Sequence, residues 1–125
     1  MTQRKTILVV EDDAFIALDL EDVLATAGFT VLGPVATVDE ALTLLRKDAP
    51  DLAVLDYNLG SETSIDIANT LNDRGVPFLF ISGQTKDVVM AGGRHDAKVL
   101  PKPFRPAELV RALQDFAASA SPKLP

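Results

Sequence analysis

The sequence contains no cysteine. That removes thiol nucleophiles, cysteine-ligated zinc and disulfide staples, and it suits a reducing compartment. Basic residues are in the minority: 12 Lys and Arg stand against 18 Asp and Glu, for a net charge of −6. A protein that grips nucleic acid through its phosphates needs a basic face, and none shows, so no nucleic-acid partner is expected. Long apolar runs are missing as well. Met1–Lys5 is polar, and the apolar stretch after it stops at Glu11, too soon for a signal peptide or a membrane span. The expectation is a cytoplasmic protein with no membrane partner. There is no internal repeat and no low-complexity block. The single histidine, His95, lies in glycine-flanked sequence and is expected at the surface, neither ligating a metal nor carrying phosphate. What is present is 125 residues of globular composition, 47% hydrophobic and 24% charged. One domain of this length buries roughly two-thirds of its unfolded surface and needs no staple.

Short β-rich runs alternate with segments of helical period. Strands are predicted over Thr6–Val10, Thr30–Gly33, Leu52–Leu55, Phe78–Ile81 and Ala97–Leu100, with Pro34 just beyond the second and Pro77 opening the fourth. A helix over Phe15–Ala27 carries Ile16, Leu20, Val23, Leu24 and Ala27 on one face, and Gly28 ends it. Thr37 is a candidate N-cap for the stripe Val38, Ala41, Leu42 and Leu45. After a turn-rich loop over Tyr57–Thr63, a third helix presents Ile65, Ala68 and Leu71 and closes at Gly75. A short helix within Thr85–Ala91 is cut by Gly92-Gly93. Pro106 starts the last helix, with Leu109, Val110, Leu113, Phe116 and Ala117 facing inward. The chain thus divides into one domain over residues 1–118 and a flexible tail over 119–125. The alternation implies the α/β class: a doubly wound, five-stranded parallel sheet with helices on both faces and right-handed crossovers. In the flavodoxin-like strand order, 2-1-3-4-5, the ligand crevice lies beyond the carboxyl ends of strands one and three.

Those strand ends carry the chemistry. Glu11, Asp12 and Asp13 follow the first strand, Asp56 ends the third, Ser82 and Gly83 end the fourth, and Pro101-Lys102-Pro103-Phe104 follows the fifth. With strands one and three adjacent, Glu11, Asp12 and Asp56 converge. Two like charges at about 4 Å repel by on the order of 4 kcal/mol at an effective dielectric of 20. Raised pKa values, a metal or a lysine must offset this. A hard divalent cation fits oxygen donors, and Mg²⁺ keeps waters that a phosphate displaces. Lys102 supplies a cation and Ser82 a hydroxyl. These are the parts that hold a phosphoryl group beside a carboxylate, and Asp56 is the candidate nucleophile. Simpler roles exist for the same residues: acids suit a helix N-terminus, so Asp13 reads first as a cap, and Ser61, Thr63 and Ser64 read as turn and cap residues.

The motifs Leu8-Val9-Val10-Glu11-Asp12, Asp51-Leu52-Ala53-Val54-Leu55-Asp56, Phe80-Ile81-Ser82-Gly83 and Leu100-Pro101-Lys102-Pro103-Phe104 together resemble the receiver domain of bacterial two-component response regulators, from about Lys5 to Phe116. The resemblance implies that Asp56 accepts phosphate from a histidine kinase or a phosphotransfer protein. It implies Mg²⁺ held by Asp12 and Asp56 directly, by Glu11 through water and by the Asn58 main-chain carbonyl. It makes Lys102 and Ser82 partners of the phosphoryl oxygens, Asn58 and Gln84 tuners of phosphate lifetime, and the Lys102–Pro103 bond cis. A docking patch for the kinase would comprise Ala14, Phe15, Leu18 and Phe104. Two departures stand out. Gly83 replaces the usual Ala, and Val99 stands where many receivers carry Tyr or Phe, so output cannot use an aromatic rotamer there. Pro77–Gly83 with Val99–Phe104 looks like an atypical single-domain subgroup with the motif Pro-Phe-x-Phe-Ala-Thr-Gly, with Ile81 and Ser82 in place of Ala and Thr. No output domain is expected, since the chain ends within a few residues of the last helix; the expected readout is contact with a protein target, after phosphoryl on Asp56 draws Ser82 and Lys102 inward and the Ser82–Ala91 segment follows.

Competing functions weaken on the same residues. A phosphate-binding loop needs a glycine-rich turn ending in Lys and Ser/Thr after a strand, where this chain has acids. A flavin site fails likewise. A Mg²⁺-dependent aspartyl phosphatase would place Asp-x-Asp after the first strand, against Glu11-Asp12-Asp13 here. A pseudo-receiver that only binds partners would not require Asp56, Asp12 and Lys102. The expectation is therefore a phosphoacceptor and not a turnover enzyme.

Overall fold

The structure is a computed structural model that describes residues 4–83 and 98–120. Its first strand, β1 (Thr6–Val10), is flanked by two other strands, and its TILVV sequence is apolar after Thr6 because both faces are covered. Ile7 and Val9 join one buried cluster, Leu8 and Val10 the other. The remaining sheet strands are β2 (Thr30–Val35), β3 (Leu52–Asp56), β6 (Phe78–Ser82) and β7 (Lys98–Pro101). Two-residue strands β4 (Asn58–Leu59) and β5 (Glu62–Thr63) form a separate antiparallel hairpin. The main sheet is parallel in the order β2-β1-β3-β6-β7. Since β6 and β7 are its fourth and fifth strands, this is the predicted 2-1-3-4-5 order.

Among the described residues four helices cover the sheet. Helices α1 (Ala14–Thr26) and α4 (Pro106–Ala120) bury Leu20, Leu24, Leu109 and Leu113 against Ile7, Val9, Val54 and Ile81. Helices α2 (Val38–Lys47) and α3 (Ile65–Asp73) bury Ala41, Leu45, Ile67 and Leu71 against Leu8, Val10, Leu55 and Phe80. Thr37 caps α2 as predicted, its hydroxyl accepting from the Glu40 N–H at 3.1 Å. Arg74 ties the end of α3 to α2 by donating to the Leu45 carbonyl.

Several boundaries differ from the sequence expectation. β2 does not stop at Gly33 but runs through Pro34 to Val35, with a register shift opposite Leu8–Val10. Proline reads as a strand stop, yet β2 lies at the sheet edge, where a missing N–H removes no ladder bond. The extension matters for the site, because the Val35 carbonyl accepts from the Glu11 N–H at 2.9 Å. Gly33 makes it possible. Its φ is +100°, and a Cβ there would lie 2.9 Å from the Val35 nitrogen and 3.0 Å from the Val9 oxygen, both backbone atoms. Gly33→Ala is expected to destabilise the fold by about 2 kcal/mol; urea unfolding with an unchanged midpoint would contradict this. Tyr57–Thr63, expected as a loop, contains the β4–β5 hairpin. The last helix continues to Ala120, past the start of the expected tail at 119, and Val110 on it is half-buried rather than core. The short helix expected within Thr85–Ala91, with Gln84, Gly92-Gly93, His95 and Ala97, lies outside the described residues, as do 121–125.

Candidate functional site

At the carboxyl end of β1 the chain turns directly into α1. Asp13 is the N-cap: its carboxylate accepts from the Phe15 N–H at 2.9 Å and the Ile16 N–H at 3.2 Å. The cap leaves Glu11 and Asp12 in the short link between strand and helix. Glu11 is 2% exposed, pinned by its own N–H to Val35 and by its Oε2, which accepts from the Asp13 N–H at 3.0 Å. Asp12 is exposed. On the neighbouring strand β3 ends at Asp56, 4% exposed. One carboxylate oxygen from each of Glu11, Asp12 and Asp56 lies within 4.8 Å of the other two.

Lys102, the residue after β7, closes the cluster. Its N–H donates to the Ser82 carbonyl at 2.9 Å, which continues the β6–β7 ladder by one bond. The Lys102–Pro103 peptide is cis. The ammonium nitrogen then lies 3.0 Å from Glu11 Oε1 and 3.1 Å from Asp56 Oδ2. It is the partner of Glu11 Oε1, an oxygen otherwise sealed from solvent without a hydrogen-bond donor.

One cation does not balance these acids. Burial pushes the Asp56 carboxyl up, the hydrogen bond and charge of Glu11 push it further, and Lys102 only partly opposes them, leaving it at about 7 against an ordinary 3.8. Burial pulls the Lys102 ammonium down, but Glu11 and Asp56 outweigh that and its net shift is upward. The cluster is short of positive charge. Its donors are all oxygen, and Asp12 at the rim is open to solvent. A hard divalent cation fits such a set.

Residues 7–114 match the model of the response regulator receiver domain family. The chain belongs to that family. It is 38% identical over 112 residues to the DNA-binding response regulator MtrA of Mycobacterium tuberculosis, covering 87% of this chain and 49% of that one. The receiver thus spans about half the length of the curated relatives it matches. Among solved structures it resembles the response regulator receiver protein of Sinorhizobium medicae (TM-score 0.84, 29% identity, 94% of this chain and 97% of that chain). It also resembles the non-phosphorylated HemR receiver domain of Leptospira biflexa (TM-score 0.83, 29% identity, 97% and 100%).

Within this receiver the other candidate residues fall as follows. Ser82 is the last residue of β6 and fully buried, and Gly83 is exposed in the bend after it. Asn58 opens the hairpin and is exposed, while Pro103 is exposed beyond Lys102. Ala14, Phe15 and Leu18 lie exposed on α1, Phe15 at 84% and Leu18 at 64%. Phe104 is half-buried and packs against the α1–α4 core, so part of its surface is committed to the interior. Val99 is half-buried opposite Phe80 in the ladder. The aromatic mass on that face comes instead from Tyr57, Phe78 and Phe80. Phe80 makes edge-on contacts with the other two, at centroid distances of 5.5 and 5.4 Å. Among the described residues no helix of the receiver is long and apolar enough to cross a membrane.

Two features of the site escape the sequence reading. The Glu11 backbone bond to Val35 depends on β2 passing Pro34, which nothing local announces. The hairpin had a signal: Asn58-Leu59-Gly60-Ser61-Glu62-Thr63 puts a glycine at a candidate reversal between two short segments, and Gly60 adopts φ +65°.

Proposed function

We propose that this receiver takes a phosphoryl group from a phosphohistidine of a sensor kinase or phosphotransfer protein onto Asp56. The convergence of Glu11, Asp12, Asp56 and Lys102 carries the reading. A carboxylate oxygen of Asp56 attacks phosphorus, the P–N bond to the donor imidazole breaks, and the electron pair leaves with that ring nitrogen. Glu11, Asp12, Asp56 and the Asn58 carbonyl would hold Mg²⁺, which supplies charge neutralisation for the transferring oxygens. Lys102 pairs with one phosphoryl oxygen and exchanges its contact with Asp56 for it. The Ser82 hydroxyl donates to another. Asn58 borders the group, and the family resemblance gives Asn58 and Gln84 the role of setting how fast water removes it. The receiver is consumed and reset rather than turning over a substrate. Phe15 and Leu18, exposed on α1, give a donor an apolar footing close to the site, with Ala14 and the exposed part of Phe104 at its edge. The downstream partner is a protein, and the setting is cytoplasmic. MtrA is a DNA-binding response regulator. The net charge of −6 on this chain favours protein contact over nucleic acid for the receiver itself.

Incubation with Mg²⁺ and acetyl phosphate is expected to add one labile phosphoryl group per chain, seen as a mass increment that hydroxylamine removes. Sustained release of many phosphates per chain would make it an aspartyl phosphatase instead. No increment with either acetyl phosphate or phosphoramidate would make it a pseudo-receiver.

A further inference from the structure

We propose that Thr63 is a positioning residue that holds Asn58 toward the phosphoryl group and so sets how long the phosphorylated state lasts. The inference rests on the reading above, that Asp56 is phosphorylated and Asn58 borders it.

The chain bends at Tyr57 between β3 and β4, so burial assigns the sides there. Leu55, Tyr57 and Leu59 all enter the core against α2 and α3. Asp56 and Asn58 therefore share the opposite side, the side of the acidic cluster. The chain then reverses at Gly60 and returns as β5, with Asn58 paired to Thr63 and Leu59 to Glu62. Directly opposed residues of an antiparallel pair have Cβ atoms roughly 5 Å apart on the same face. Thr63 thus stands beside Asn58 on the face that Asp56 occupies.

The hairpin is held at its base. The Tyr57 N–H donates to the Ile81 carbonyl at 2.9 Å, and the Tyr57 carbonyl accepts from the Ser64 N–H at 2.9 Å. Tyr57, Leu59 and Ser64 are buried, whereas Asn58 and Thr63 are exposed. The backbone of the pair is fixed while the Asn58 side chain keeps its rotamers. A free carboxamide at the mouth of the site spends part of its time turned to solvent. The Thr63 hydroxyl, able to donate and to accept, selects the rotamer in which the amide faces the acyl phosphate and orients an incoming water. Its Cγ methyl limits the remaining space.

The test follows decay of acetyl-phosphate-labelled protein by mass spectrometry with Mg²⁺ present. Thr63→Val removes the hydroxyl and keeps the shape. Its phosphate is expected to last roughly 3-fold longer, the size of one modest hydrogen bond. Thr63→Ser keeps the hydroxyl and is expected to decay within about 2-fold of the natural chain. In an Asn58→Ala background Thr63→Val is expected to change nothing further, because the effect passes through Asn58. In the two Thr63 single variants thermal unfolding and the rate of phosphoryl uptake are expected to match the natural chain. Equal lifetimes for Thr63→Val and the natural chain, or additive effects of Thr63→Val and Asn58→Ala, would overturn the proposal. Absence of any phosphoprotein in the natural chain would instead overturn the reading on which it rests.

Discussion

Asp56→Asn is expected to abolish phosphoryl uptake and at the same time to make the metal-free protein more stable. The first effect follows from chemistry: a carboxamide does not attack phosphorus. The second follows from electrostatics. The Asp56 carboxyl sits at about 7 in the folded chain against 3.8 ordinarily. Between those values the folded state holds a proton that the unfolded state has released, so stability falls as pH rises from about 4 to about 7 and stays low above it. A shift of that size corresponds to about 4 kcal/mol at most. Loss of one Lys102 ion pair offsets part of the gain in the variant. The expected net stabilisation above pH 7 is on the order of 2 kcal/mol, vanishing below pH 4. Urea unfolding in chelator at pH 5 and pH 8 measures it. Added Mg²⁺ is expected to narrow the gap, since binding to the native natural chain stabilises it by mass action. A variant less stable than the natural chain at pH 8 without metal would show that Lys102 already balances the acids. Lost function with gained stability is the pattern of a site whose strain serves its chemistry.

The fold was legible where burial is uniform. The runs Thr6–Val10, Leu52–Asp56 and Phe78–Ser82 are apolar almost end to end because helices cover both faces, and each was placed to within a residue. The division of α1 was legible too: Ile16, Leu20, Val23, Leu24 and Ala27 take the inner stripe, and Phe15 and Leu18 fall off it into solvent. The continuation of β2 was not, because Pro34 breaks strands in general and is tolerated only at an edge, and edge position is a property of the whole sheet. The site was half legible. Asp12 and Asp56 are far apart in the chain and meet only through strand order; alternation and handedness narrow that order, and it took the flavodoxin-like choice among those left to bring strands one and three together. A counter-charge for the acids could be anticipated from Lys102. That this one ammonium touches Glu11 as well as Asp56 could not, since it depends on Glu11 turning inward under the Val35 and Asp13 bonds.

That double contact sets up a competition, and Lys102→Met is expected to expose it. Methionine keeps the length and apolar stem of the side chain and removes the charge. Among the described residues Lys102 is the basic group in ion-pair contact with these acids, so the variant leaves buried carboxylates unbalanced. Breaking a buried pair in this way is expected to destabilise the metal-free protein by about 2 kcal/mol at pH 8. The deficit should shrink toward pH 5, because Asp56, already displaced upward by burial and by Glu11, then takes up a proton. With Mg²⁺ the sign reverses. In the natural chain the ammonium and a divalent cation must share Glu11 and Asp56, and like charges at these separations repel by a few kcal/mol even after strong screening. Removing the ammonium is expected to tighten Mg²⁺ binding roughly tenfold, a difference of about 1.4 kcal/mol. Titration calorimetry on the natural chain and on Lys102→Met reads this directly. Phosphoryl uptake should persist in the variant, while the phosphorylated form, lacking the charge that pairs with the phosphoryl oxygens, should differ less from the unphosphorylated one in its amide exchange. Weaker Mg²⁺ binding in Lys102→Met would mean that the lysine gathers the acids into register for the ion instead of competing for them, and the cluster would then be assembled by Lys102 rather than held in check by it.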